Sequence, residues 1–356
     1  MKKIALIGCG GIGGYHLHNL AKFKDKAELV GFCDVIPERA EGFVKQTGQG
    51  KAFGADFKKM YDETKPDMVF IGTPPYAHGD IEFEAIERGI HLFVQKPVAL
   101  DLELAVKIRD KIAEKGIISA SGFQCRYDSI NEAAKDYIAK NEIISIQASR
   151  IGGVPEVDWW RVKDLSGGQL AEQTVHQVDI LRYLFGDMES VYSIATRGFV
   201  KESEWPGYNT DDATTTVFKF KSGLAATMIT GCYSLNGASW DSKMTFGSRS
   251  SRLDYHLITR IDIYGLDDQD KAEEIAGVVK GDGMQRRNEN EQGIRIKSSG
   301  EFDKLCFGAF IDAVISGDPV DIKKIKSPYC DAVKSLAAVL GANESMKTGQ
   351  VVKLDI

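Results

Sequence analysis

Ile4-Ala5-Leu6-Ile7-Gly8-Cys9-Gly10-Gly11-Ile12-Gly13-Gly14 decides the fold of this chain. Four apolar residues, Ile4–Ile7, run directly into a glycine turn, and Tyr15–Phe23 reads as the helix that follows. A short, continuous apolar run is what a parallel strand covered on both faces requires. In such a strand–turn–helix each glycine has a mechanical task. Gly8 permits the tight turn, Gly10 lets the backbone approach a pyrophosphate, and Gly13 lets helix and strand pack closely. The first helical turn, with Gly11 and Ile12, offers free N–H groups and a partial positive charge to that anion. A second apolar run, Glu28–Cys33, ends at Asp34. A carboxylate there accepts from both ribose hydroxyls of an adenosine and repels a 2′-phosphate, which points to NAD rather than NADP. Arg39, one helical turn further on, offsets part of that repulsion.

Working outward, strands and helices keep alternating. Helical Pro37–Thr47, extended Met68–Ile71, helical Gly79–Arg88, extended His91–Val94, helical Asp101–Lys115 and extended Ile117–Gly122 follow in turn. This spacing means βαβ units in a doubly wound parallel sheet, assigned to a first domain over residues 1–122. Two loops at the carboxyl ends of later strands complete the crevice where ligands sit in open parallel sheets. They are Thr73-Pro74-Pro75-Tyr76-Ala77-His78 and Gln95-Lys96-Pro97. Thr73, Pro74, His78, Gln95, Lys96 and Pro97 are therefore expected to touch the cofactor, although prolines also simply rigidify surface turns. Lys96 stands beside the expected nicotinamide pocket, where burial and a cationic ring lower an amine's pKa.

After residue 122 the alternation stops, and residues 123–356 are assigned to a second domain. Asp128–Lys140 reads as a helix and Ile143–Ile151 as a strand. Val191–Val200, Thr214–Lys221, Gly223–Tyr233, Lys243–Phe246, Leu257–Tyr264 and Gly293–Lys297 read as extended. A large, mostly antiparallel open sheet is the natural arrangement of such stretches. Phe302–Ser316 and Cys330–Met346 read as helices, and Asn209–Asp212 and Gly281–Gln292 as loops. Gln169–Phe185 reads as one amphipathic helix stopped by Gly186. Leu170, Thr174, Val178, Leu181 and Phe185 share one face, and Glu172, His176, Asp179 and Tyr183 the other. That second face is either a solvated stripe or a histidine base with carboxylates at one-turn spacing. Trp159-Trp160-Arg161 is either core or a platform for the C–H faces of a sugar, with Arg161 toward its hydroxyls.

Composition narrows the function classes. The 356 residues are 43% hydrophobic and 27% charged, with Lys plus Arg at 45 against 51 Asp plus Glu, a net charge of −6. That balance belongs to a globular chain and lacks the basic footprint of nucleic-acid binding or a polybasic membrane patch. Six cysteines are scattered without a C-x-x-C, so no metal site is visible and the thiols are expected to be free in a reducing compartment. The apolar stretch after Met1-Lys2-Lys3 is shorter than a secretory h-region, and the expected location is cytoplasmic. An exposed sheet face of this size needs covering, so a homodimer or homotetramer is expected.

GCGGIGGYH at Gly8–His16, TPPYAH at Thr73–His78, QKPVAL at Gln95–Leu100, SGFQCRYD at Ser121–Asp128 and SGGQLAEQTVHQVDILRYLFGD at Ser166–Asp187 together resemble the glucose–fructose oxidoreductase / inositol dehydrogenase / rhizopine catabolism (Gfo/Idh/MocA) family. The resemblance spans nearly the whole chain. It implies a Rossmann domain followed by an α/β domain with a large open sheet. It also implies NAD(P)-dependent oxidation or reduction of a hydroxyl or carbonyl on a sugar or cyclitol. By resemblance, Lys96 matches the catalytic lysine of the family's E-K-P signature and His176 its catalytic histidine. Glu172 occupies the place where many members have Asp, and Asp179 and Arg126 fall at positions that often touch substrate. Two departures stand out: Gln95 replaces the usual Glu, and Glu172 is one methylene longer than Asp. The implied chemistry has His176 as base with Lys96 polarising the same oxygen, or Lys96 as the base itself, and Glu172 orienting His176 or binding a neighbouring hydroxyl. An NAD-dependent glycoside hydrolase and a non-catalytic dinucleotide-binding regulator are the competing readings.

Overall fold

The computed structural model describes residues 1–265 and 294–355; the loop expected over Gly281–Gln292 lies outside them. The N-terminal half builds the six-stranded parallel sheet expected from the alternation. Its strands are β1 (Lys2–Ile7), β2 (Ala27–Cys33), β3 (Lys51–Ala52), β4 (Met68–Ile71), β5 (His91–Val94) and β6 (Ser119–Ser121), in the order β3-β2-β1-β4-β5-β6. Strand order reverses between β1 and β4, which opens a crevice beyond their carboxyl ends, just where the glycine turn sits. Two elements carry no pattern in the sequence reading. The β3 strand has two residues, too few for a period, and the helix Phe57–Thr64 starts on Asp56, whose carboxylate accepts from the Lys59 N–H at 3.0 Å.

The second sheet has nine strands: β7 (Ser145–Ile151), β8 (Met188–Thr196), β9 (Ala213–Phe220), β10 (Ala225–Gly231), β11 (Asp241–Gly247), β12 (Ser251–His256), β13 (Arg260–Gly265), β14 (Ile294–Lys297) and β15 (Val352–Lys353). Its order is β14-β13-β12-β11-β7-β10-β9-β8-β15, antiparallel throughout except for the parallel pair β7·β10. The single extended run expected over Leu257–Tyr264 is instead the turn and second arm of a hairpin. The chain reverses at Leu257–Thr259, with Ile258 at φ 55°, and Tyr255 of β12 lies opposite Ile261 of β13. Period-two alternation fills one face with buried residues, Thr214, Thr216, Phe218 and Phe220 on β9 for example. The opposite face presents Tyr192, Ile194, Val217 and Ile229 to solvent.

The strands of the first sheet end by Ser121 and those of the second begin at Ser145, but helices cross between them. The helix Phe302–Ser316, far along the chain, packs into the core of the parallel sheet. Phe307 lies against Phe70 and Phe93, with ring centroids 5.4 and 5.0 Å away, and those two stack at 4.7 Å. The imidazole of His16 is buried edge-on among the same three rings. Burial drives its pKa down to about 3, so it stays neutral. The long helix Tyr329–Thr348 then crosses the molecule, buries Val333, Leu336 and Val339, and packs on the helix Leu102–Lys115 as well as on β8. Truncation of Phe307 removes a ring from a fully packed layer. Phe307→Ala is expected to lower stability by about 3–5 kcal/mol in equilibrium urea unfolding.

Candidate active site

The crevice begins at the glycine turn, whose geometry accepts no side chain at Gly8 or Gly13. Gly8 sits at φ 88°, and a Cβ there would lie 2.6 Å from the Gly72 carbonyl oxygen. A Cβ on Gly13 would overlap the Gly8 carbonyl, whereas Gly11 and Gly14 face open space. The helix Gly11–Leu20 starts on Gly10 without a side-chain cap, so its first N–H groups remain available to an anion. Asp34, at the end of β2, is oriented by the Cys9 N–H at 2.7 Å and the Ile36 N–H at 2.8 Å. Arg39 approaches the same carboxylate only to 3.9 Å, with half its side chain in solvent. Burial and the Asp34 charge push the Cys9 thiol up to about 12.

Across the crevice, the Oγ1 of Thr73 and the Nε2 of His78 are buried without a partner among the described residues. The other ring nitrogen of His78 lies 2.6 Å from Glu82, which also accepts from the Gly79 N–H at 2.7 Å. Gln95 folds back so that its Oε1 accepts from the Lys96 N–H at 2.8 Å. It fills the space where a Cβ of Gly122 would stand. An uncapped helix terminus, an oriented carboxylate and two orphaned polar atoms along one crevice fit a dinucleotide.

Lys96 carries the centre of the site. Its Nζ donates to both the backbone carbonyl and the Oε1 of Glu172, each at 2.7 Å. An ammonium has three donors, so one remains for a ligand. The Oε2 of Glu172 accepts from the indole N–H of Trp160 at 2.9 Å. The Lys96 and Glu172 side chains are only 11% and 13% exposed, so water screens the pair weakly. The helix expected over Gln169–Phe185 is two helices, Gly168–Glu172 and Val175–Phe185, separated at Gln173-Thr174. Glu172 is engaged by Lys96 and Trp160, and among the described residues it makes no hydrogen bond to His176, so it anchors Lys96.

His176 opens the second helix. Its Nδ1 lies 3.8 Å from the Cys125 thiol and its ring is edge-on to Phe123. Burial, followed by the positive charges of Lys96 and Arg150, holds its pKa well below the ordinary 6.5. The imidazole is neutral at pH 7 and able to accept a proton.

Other expected contacts lie elsewhere. Asp179 is fully buried in a bidentate pair with Arg126, at 2.7 and 2.6 Å, and also accepts from Ser335 at 2.7 Å. Arg126 further meets Asp331 at 2.5 Å and the Lys326 carbonyl at 2.9 Å. Both head groups are consumed inside the protein, because a buried charge must be paired, and neither is left for substrate. Trp160 is 1% exposed and packs with Tyr208 and Cys232, so it holds Glu172 and offers no face to a sugar. Trp159 is half-buried against the same cluster. Arg161 pairs with Asp158 at 3.1 Å and lies over the Trp205 ring. The sequence reading misses Arg150. Its only early signal is that alternation along β7 places it on the same face as the buried Ile146 and Ala148.

Residues 2–123 match the model of an oxidoreductase family with an NAD-binding Rossmann fold, and residues 133–249 match the Gfo/Idh/MocA C-terminal domain. The scyllo-inositol 2-dehydrogenase (NAD(+)) of Bacillus subtilis is 32% identical over 63% of this chain and 65% of its own length. The myo-inositol 2-dehydrogenase of Thermotoga maritima is 30% identical over 62% of this chain and 66% of its own. These matches thus take in just under two thirds of the relatives' lengths. In fold, the WlbA dehydrogenase of Bordetella pertussis, solved with NADH and UDP-GlcNAcA, superimposes with a TM-score of 0.80 at 18% identity. That superposition covers 100% of this chain and 98% of the other.

The buried Arg126–Asp179 pair makes a discriminating test. Asp179→Asn is expected to lower stability by about 3–5 kcal/mol in urea unfolding, since it leaves a buried guanidinium short of charge. A substrate contact would instead raise KM and leave the unfolding midpoint in place.

Proposed function

Because the chain belongs to the Gfo/Idh/MocA oxidoreductase family, we propose that it transfers hydride between NAD and a secondary hydroxyl or carbonyl of a sugar, sugar derivative or cyclitol. The observation that carries this reading is the Lys96 ammonium, held twice by Glu172 with one N–H to spare, beside a neutral His176. Oxidation of an alcohol needs a base for the hydroxyl proton and a cation for the developing oxyanion. Lys96 donates its remaining N–H to the substrate oxygen, and His176 takes the proton. Glu172, braced by Trp160, keeps Lys96 in place. The glycine turn and the first N–H groups of Gly11–Leu20 receive a pyrophosphate, and Asp34 accepts from the ribose hydroxyls. Thr73, Pro74, His78, Gln95 and Pro97 line the nicotinamide end. When bound, the nicotinamide ring supplies the hydride acceptor or donor. The Asp34 carboxylate and the loosely engaged Arg39 favour NAD over NADP.

The apolar outward face of the nine-stranded sheet supports a homodimer or homotetramer built sheet to sheet. Sedimentation as a clean monomer at micromolar concentration would remove that part of the proposal.

Nicotinamide absorbance with cyclitols, aldoses and sugar acids, NAD and NADP run in parallel, tests the activity. Lys96→Met is expected to lower kcat by about 10³-fold or more with the protein still folded and NAD still bound. NAD bound but never reduced by any substrate would overturn the dehydrogenase reading. The pH profile tests His176. Its pKa is depressed, so the base form persists below the ordinary histidine range. The acid limb of kcat/KM for oxidation is expected to lie well below the ordinary histidine value of 6.5, with activity lost only as pH falls through that limb. A limb centred at or above 6.5 would contradict His176 as the base in this environment.

A further inference from the structure

The sheet grips the helix break from below, and one of the gripping groups is a cation whose side-chain hydrogen bond goes to a neutral amide. Three adjacent strands, β10, β7 and β11, end at the break, with Thr230 of β10 and Ser242 of β11 both in register with Arg150 of β7. Thr230 bonds Thr174 at 2.6 Å, and the Ser149 carbonyl and Ser242 hydroxyl take the Gln177 amide at 2.9 and 3.3 Å. Arg150 donates through Nη2 to the Gln173 side-chain carbonyl at 3.0 Å. Among the described residues this neutral amide is its only side-chain partner. Gly152 lies so close that a Cβ there would stand 2.8 Å from Nη1, so the turn after β7 has no side chain over the guanidinium.

Placement sets the rest. Arg150 sits at the carboxyl end of β7, one residue from Gly152-Gly153, and its charge is felt by His176. Among the described residues the carboxylate that acts on Arg150 is Glu172. That carboxylate is already bound to Lys96 and Trp160. With His176 neutral, Lys96 and Arg150 carry two positive charges against one negative charge. Burial outweighs the attraction of Glu172 and pulls the guanidinium below its ordinary value. A half-buried arginine with donors to spare is suited to a planar oxyanion, which it can grip through two N–H groups.

We propose that Arg150 is a specificity-determining residue that binds an anionic substituent of the substrate, a carboxylate or a phosphate ester, beside the hydroxyl presented to Lys96 and His176. This rests on the hydride-transfer reading of the site. It narrows the substrate class from neutral sugars and cyclitols to sugar acids or sugar phosphates. The same anion would offset the excess positive charge that Lys96 and Arg150 leave over Glu172.

The experiment compares matched pairs in the NAD assay: D-glucuronate and glucose 6-phosphate against D-glucose, and D-galacturonate against D-galactose, with myo-inositol as the neutral cyclitol. The wild type is expected to prefer an anionic member over its neutral counterpart by on the order of 100-fold in kcat/KM. The uronate and phosphate arms identify which anion is used. Arg150→Met is expected to collapse that ratio, chiefly through KM of the anionic member, and Arg150→Lys to restore part of it. The ratio is the readout because a change at Arg150 also shifts His176, which affects both members alike. Calorimetric binding of the same compounds to the NAD-loaded protein supplies a second measure that needs no turnover. Equal use and equal binding of charged and neutral members, or an unchanged ratio in Arg150→Met, overturns the inference. Anion binding that depends on Arg150 without any hydride transfer supports it while sinking the dehydrogenase reading on which it was built.

Discussion

Lys96 and Glu172 arrive from different sheets, and their ion pair is the point at which the two halves of the molecule become one site. Lys96 leaves the carboxyl end of β5 in the parallel sheet, and Glu172 closes a short helix lying on the antiparallel one. In water such a pair contributes little, and in a partly buried cleft desolvation offsets much of the attraction. Its importance is therefore geometric. Two of the three ammonium donors are committed to one residue, through its carbonyl and its carboxylate, so the third is aimed. A group that must meet a reacting oxygen within hydrogen-bond distance gains more from such aiming than from raw affinity.

The aim is transmitted from rigid layers on both sides. Behind the crevice, Phe70 of β4 and Phe93 of β5 stack on each other and on Phe307, so the strands that lead into the Thr73–His78 and Gln95–Pro97 loops share one aromatic layer. On the other side, the Gln173-Thr174 break is tied to three strand ends through Arg150, Thr230, Ser149 and Ser242. The Arg126–Asp179 pair and Ser335 lock the following helix to Tyr329–Thr348. Glu172 serves the lysine through its carboxylate and carbonyl, while His176, on the next helix, remains a neutral base.

Legibility in the sequence followed the range of the interactions involved. The glycine turn, Asp34, the crevice loops and Lys96 were readable because strand, turn and helix N-terminus are local and their steric demands fall on individual residues, as Gly8 and Gly13 show. The two-residue strand Lys51–Ala52 and the β12–β13 hairpin were not, since the first is below any period and the second hides its turn in an apolar run. Helical spacing grouped Glu172 with His176, and the family resemblance offered Asp179 to substrate; both readings took those carboxylates to be free, whereas Lys96 and Arg126 engage them.

The amino-acid sequence by itself determined the class of fold and the dinucleotide crevice, because backbone sterics and hydrophobic period act over a few residues, while the family resemblance of its motifs singled out Lys96 and His176 as candidates. Tertiary structure alone decided which polar groups face the cleft. Arg126 and Asp179 spend their charges on each other, Trp160 turns its indole N–H to Glu172, and Arg150 donates to the neutral Gln173 amide. Charge pairing depends on which strands and helices are brought together, and partners here lie tens to hundreds of residues apart, as Ser335 and Asp179 do. No local pattern carries that information; it exists only once the two sheets have closed on one another.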